Sequence, residues 1–117
     1  MLAVLVLMTI LAPGAVYSQQ SPRGKQNFGA LAYHQDSGSF GYAVDTPSAR
    51  AARIEALRLC GHPNCEVVLG LHNGCGAVAS RAGRFAAARG TTRQEAQTKA
   101  ARKCGSRCEI AGWACTR

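Results

Sequence analysis

The chain has 117 residues, too few for a second domain, and six of them are cysteines, a density and an even number that read as a disulfide framework rather than reactive thiols. It carries 14 Lys and Arg against 6 Asp and Glu, a formal net charge of +8. A surplus of that size points to an acidic partner, with a solvated basic face as the plainer account.

Residues 1–18 form an apolar run followed by Pro13-Gly14 and then Ala15-Val16-Tyr17-Ser18. Small residues at Val16 and Ser18 suit a signal peptidase, and the run is shorter than the roughly 20 residues of a membrane span. A cleaved signal peptide is expected here, although no Lys or Arg precedes the run. A buried helix or a membrane anchor is the alternative. Export to the periplasm or beyond the cell agrees with the cysteine content. Residues 19–27 are polar, contain Pro and Gly, and read as a flexible N-terminus.

Two short apolar runs, 28–33 and 40–44, flank His34-Gln-Asp-Ser-Gly38-Ser39, which predicts a β-hairpin. Pro47 closes the second strand and Ser48 is a fair N-cap. Over 49–59 the spacing is helical, with Ala49, Ala52, Ala56 and Leu59 on one face with Cys60, and Gly61 ends the helix. Val67-Val-Leu-Gly-Leu71 is a third strand, and Asn73-Gly74 a turn. The order then returns. Strands at 76–80 and 85–89 share a short turn, and Thr92 with Glu95 reads as a capping box. The helix 93–103 sets Ala96, Ala100 and Cys104 on one face and ends in Lys99, Arg102 and Lys103, where cations suit the helix dipole. Gly105 stops it, and 109–114 is the last strand, carrying Trp113.

Cys60-Gly…Cys65-Glu…Cys75 is matched by Cys104-Gly…Cys108-Glu…Cys115, and Gly29-Ala-Leu-Ala32 by Gly76-Ala-Val-Ala79. The chain therefore reads as a tandem duplication. The expected architecture is α+β, a pseudo-twofold (ββαβ)x2 repeat with an antiparallel sheet and two helices packed on one face. Residues 28–117 form one domain of two repeats, 28–75 and 76–117. Six cysteines allow fifteen connectivities. Tight turns favour Cys60–Cys65 and Cys104–Cys108. Cys75–Cys115 is left, placed where the third strands of the two repeats run side by side near the axis. A zinc site is the rival, but the Cys spacings are loose for one and export argues against free thiolates.

Phe28-Gly-Ala-Leu-Ala-Tyr33, Ser37-Gly-Ser-Phe-Gly-Tyr42, the helix ending Leu59-Cys-Gly61, and Asn73-Gly-Cys-Gly-Ala-Val-Ala79 resemble bacterial domain-of-unknown-function family 4189 over 28–115. The resemblance implies a small, exported, cysteine-bearing protein and no established activity. Phe85-Ala-Ala-Ala-Arg89 is poorer in aromatics than the matching strand of the family.

Charge divides unevenly. Residues 19–75 carry five Lys/Arg against four Asp/Glu, and 76–117 carry nine against two. Arg84, Arg89, Arg93, Lys99, Arg102, Lys103 and Arg107 are the candidate binding residues. They suit an acidic protein or an anionic surface polymer, as for an effector or inhibitor. Nucleic acid is the alternative, weakened because the one Trp, three Tyr and three Phe do not interleave with the basic residues. A hydrolase using His34 and His72, with His62 a third histidine, is a lesser reading. The carboxylates Asp36, Asp45, Glu55, Glu66, Glu95 and Glu109 form no spaced acid pair, and no Gly-rich phosphate loop is present. Neither cofactor nor metal is expected.

Overall fold

The structure, a computed structural model, describes residues 27–117. The expected signal peptide at 1–18 and residues 19–26 of the polar stretch lie outside the described residues. In chain order come β1 (Phe28–His34), β2 (Ser39–Thr46), α1 (Ala49–Cys60), β3 (Glu66–His72), β4 (Gly74–Arg81), β5 (Arg84–Gly90), α2 (Arg93–Cys104) and β6 (Glu109–Thr116). Asn27, expected to be flexible, is tied down: its carbonyl accepts from Asn73 N at 3.2 Å and its side-chain amide donates to Asn73 Oδ1.

The expected common sheet is instead two antiparallel three-stranded sheets, ordered β2-β1-β3 and β5-β4-β6. The reason lies in the central strands, which are apolar on both faces. Ala30 and Ala32 of β1 turn to Ala52, Ala56 and Cys60 of α1. Leu31 and Tyr33 turn the other way, against Val78 of β4, Leu71 and Ala114. In β4, Cys75, Ala77 and Ala79 face Ala96, Ala100 and Cys104 of α2. A strand apolar on both faces must be covered on both. The sheets therefore stack face to face, and the helices lie on opposite outer faces rather than on one. At one side of the stack β2 meets β6, and at the other β3 meets β5.

Small residues set the spacing of the layers. A Cβ on Gly41 of β2 would stand 2.2 Å from the backbone nitrogen of Cys60, so α1 can sit this close only over glycine. Both helices are capped. Ser48 accepts from Ala51 N, and Gly61, at φ 73, donates to Leu57 O. Thr92 Oγ1 accepts from Glu95 N at 3.1 Å, but the Glu95 carboxylate accepts from Thr91 N at 2.6 Å, one residue outside the expected capping box.

The three disulfides are Cys60–Cys65, Cys75–Cys115 and Cys104–Cys108, with no free cysteine. The first and third close helix-to-strand turns. The second has a different setting from the one expected. Asn73, at φ 57, has already turned the chain, so Cys75 lies in β4 rather than at the end of the preceding strand. It stands directly opposite Cys115 in the β4–β6 ladder. That bond is internal to the second sheet.

Candidate functional site

β5 is an edge strand, with α2 over its outer face and β3 of the other sheet beside it. Along this edge runs a groove of about 570 Å3 lined by Leu69, Ala87, Ala88, Arg89, Lys99, Arg102 and Lys103. Its apolar lining comes from Leu69 and the two alanines. Its cations come from the end of β5 and from α2, where positions 99, 102 and 103 share a face at helical spacing. That face flanks the buried stripe of Ala96, Ala100 and Cys104, so burying the alanines places the cations over β5.

Two of these cations are anchored on main-chain oxygens. Lys103 Nζ donates to Ala87 O at 3.1 Å, and Arg89 Nε crosses to β3 and donates to Gly70 O at 2.7 Å. Lys99 Nζ lies 3.3 Å from the Glu95 carboxylate, and Arg102 is exposed. The hydrogen bonds from Thr91, backbone first and then hydroxyl, hold the Glu95 carboxyl below the usual carboxylate range, and Lys99 adds to the effect. Glu95 therefore stays ionised and offsets one of the charges along α2.

The remaining three expected basic residues are elsewhere. Arg84 donates from Nε to Cys104 O at 2.9 Å and from its terminal nitrogen to Ser106 O at 2.7 Å. It closes the end of α2 and the disulfide turn, which is a structural task. The Arg93 guanidinium lies 4.1 Å over the Trp113 ring at the start of α2. Arg107 occupies the Cys104–Cys108 turn at φ 66. What sequence reasoning missed is the contribution of β3, Leu69 and Gly70, since no sequence signal marks which edge strands of two stacked sheets adjoin.

The pair that the lesser, hydrolase reading would need, His34 and His72, is not brought together. His72 pairs with Phe28 in the β1–β3 ladder and stacks on its ring at 4.4 Å, while His34 is at the other end of β1. Seven strand residues separate them by roughly 20 Å. His34 instead stacks on His62 at 4.0 Å, and its Nδ1 lies 2.7 Å from Ser37 Oγ. Among the described residues no cluster of three or more His, Cys, Asp or Glu is placed to hold a metal, and every cysteine is consumed in a disulfide. No described helix is long and apolar enough to cross a membrane.

The first half has a groove in the matching place, between β2 and α1, of about 550 Å3. Phe40, Tyr42, Val44, Glu55 and Leu59 help to line it. It contains no Lys or Arg.

Three comparisons with known proteins bear on this arrangement. The profile of a family described as a domain of unknown function, DUF4189, matches residues 28–115. Protein Rv1269c of Mycobacterium tuberculosis and Protein Mb1300c of Mycobacterium bovis are each 35% identical to the chain over 88 residues, 75% of this chain and 68% of the relative. The NMR structure of Rv1813c from Mycobacterium tuberculosis superposes with a TM-score of 0.63 at 27% identity, covering 94% of this chain and 98% of that one.

Proposed function

The chain belongs to the domain-of-unknown-function family DUF4189, and we propose that it is an exported binding protein that holds an acidic protein segment in the groove between β5 and α2. The observation that carries this reading is the gathering of Arg89, Lys99, Arg102 and Lys103 around one groove with an apolar lining. Arg89 and Lys103 are held in place by Gly70 O and Ala87 O, so a partner loses less free energy in ordering them. Their remaining N–H groups, with the planar fork of Arg102, suit carboxylates. Residues lining the groove are short of aromatics, which disfavours stacked bases and so nucleic acid. Three disulfides suit an oxidising compartment, and the expected signal peptide supports export. The order strand-strand-helix-strand occurs twice, which supports descent by duplication, with the second unit specialised for binding.

The test is titration of polyglutamate into the oxidised protein at about 50 and 200 mM salt. Wild type binds, more weakly at the higher salt, and the Arg102→Glu/Lys103→Glu variant loses binding while keeping its thermal midpoint. Undiminished binding by the variant overturns the proposal. Duplex DNA that binds more tightly, with a steep salt slope, transfers the groove to nucleic acid.

A further inference from the structure

The β1–β2 turn and the Cys60–Cys65 turn meet through two imidazoles. The rings of His34 and His62 lie face to face, with centroids 4.0 Å apart and planes 14° from parallel. Each ring uses Nδ1 as an acceptor: Asn64 N donates to His62 Nδ1 at 3.0 Å, and Ser37 N donates to His34 Nδ1 at 3.3 Å. A ring that accepts at Nδ1 is neutral and holds its proton on Nε2, because the protonated ring is a donor at both nitrogens. The arrangement therefore requires two uncharged rings. Protonation withdraws both acceptors and sets two positive charges against each other at stacking distance. Histidine is the residue type whose charge changes between about pH 5 and 8.

We infer that the His34–His62 stack is an acid-opened clasp, closed at neutral pH and released as pH falls, which ties the tip of the first hairpin to the disulfide turn that follows α1. Charged groups stand on each surrounding element. Asp36 is in the hairpin turn itself, and Glu66 stands opposite Tyr33 at the start of β3. Arg58, in the last turn of α1, is paired with Glu55. Arg81, on the β4–β5 hairpin, contributes the carbonyl that accepts from Gln35 Nε2 at 3.3 Å. Among the described residues neither imidazole is ion-paired with a carboxylate, so neither Asp36 nor Glu66 offsets the repulsion at contact distance. What moves is the hairpin tip, since Cys60–Cys65 closes the other turn across its base. Gln35, Asp36 and Ser37 of that tip line one wall of a polar groove of about 410 Å3, and Ser80 and Arg81 line the other. Opening the clasp frees one wall of this groove. The second half has no such device: residues 76–117 contain no histidine, and the matching turn reads Cys104-Gly-Ser-Arg-Cys108. That turn is an internal control.

Nuclear magnetic resonance of the oxidised, isotopically labelled protein at about pH 7.5 and about pH 5, towards the two ends of the histidine range, tests the clasp. At the higher pH the ring nitrogen shifts should place the proton of both histidines on Nε2, and a nuclear Overhauser contact should join the two rings. At the lower pH that contact should be lost, and the Asn64 and Ser37 amides should exchange about tenfold faster after correction for the intrinsic rate. Amides of the Cys104–Cys108 turn should show no such step. His62→Phe keeps a ring that stacks but cannot charge, so its contact with His34 should be the same at both pH values. His72→Phe changes the histidine stacked on Phe28 at the other end of β1 and should leave the response intact. A wild-type contact that persists at the lower pH, or one that weakens equally in His62→Phe, overturns the inference. So does a response abolished by His72→Phe, or one shared by the Cys104–Cys108 turn, which would be a general loosening in acid.

Discussion

Two grooves occupy matching places in the two halves, one between β2 and α1 and one between β5 and α2. In the first, Tyr42, Val44, Glu55 and Leu59 stand where the second has Ala87, Arg89, Lys99 and Lys103. Beneath both, the buried helix positions are alike: Ala52, Ala56 and Cys60 in α1, and Ala96, Ala100 and Cys104 in α2. The interior demands small residues at close approach, as the Cβ clash at Gly41 shows. The rim of each groove is under no such demand. One groove can therefore be cationic and the other lined by aromatic and aliphatic side chains with a single glutamate, over similarly small buried helix residues.

The largest expected difference between the halves is in their cross-links. Cys75–Cys115 spans 40 residues and Cys60–Cys65 spans 5. Replacing the first pair by alanine should cost about 4 kcal/mol and the second about 2 kcal/mol in the chain-entropy model, read by denaturant titration of each variant. Equal losses would remove the idea that the second sheet depends more on its cross-link. Next come Leu31 and Val78, the largest fully buried side chains, each facing the opposite sheet. Leu31→Ala should cost about 3 kcal/mol and lower hydrogen-exchange protection in both halves together. Loss confined to 27–72 would show two units that fold separately. Thr92→Ala should cost about 1 kcal/mol, and Ser48→Ala a similar amount, since each caps one helix.

The smallest effect is acid sensitivity at the start of α2. Glu95 sits in the first turn of α2, whereas α1 has no acidic residue there. Hydrogen bonds from Thr91 hold the folded Glu95 carboxyl below its usual range. Its contribution is therefore complete above the ordinary glutamate value and is lost as pH falls through the lowered one. Amide exchange at Thr91 should quicken over that acid window in wild type and be pH-independent there in Glu95→Gln, beyond the intrinsic trend. The amides that open α1 should show no matching step.

Much of the secondary structure was legible because its signals are local. Ser48 and Thr92 as caps, Gly61 and Gly105 as stops, and the alanine stripes each act within a turn or two of helix. The division into two sheets was not. It depends on Leu31 and Val78 facing each other across the stack, and the runs 28–33 and 76–80 look the same whether one sheet or two is built. The candidate site was legible in part. Lys99, Arg102 and Lys103 share a helix face that spacing predicts, and Arg89 adds to them through the β5 edge. Charge counting also swept in Arg84, whose guanidinium is spent on Cys104 O and Ser106 O, a partnership 20 and 22 residues distant. Leu69 escaped notice because only the stacking of sheets brings β3 to β5.

The most direct test of the division between the halves compares polyglutamate binding by Arg102→Glu/Lys103→Glu with binding by Arg50→Glu/Arg53→Glu. Both variants reverse two cations; Arg50 and Arg53 are exposed on α1 of the first half. If the β5–α2 groove is the site, affinity falls by more than about tenfold in the first variant and changes little in the second. Equal losses in the two would mean that net charge alone drives binding, and would contradict a site in that groove.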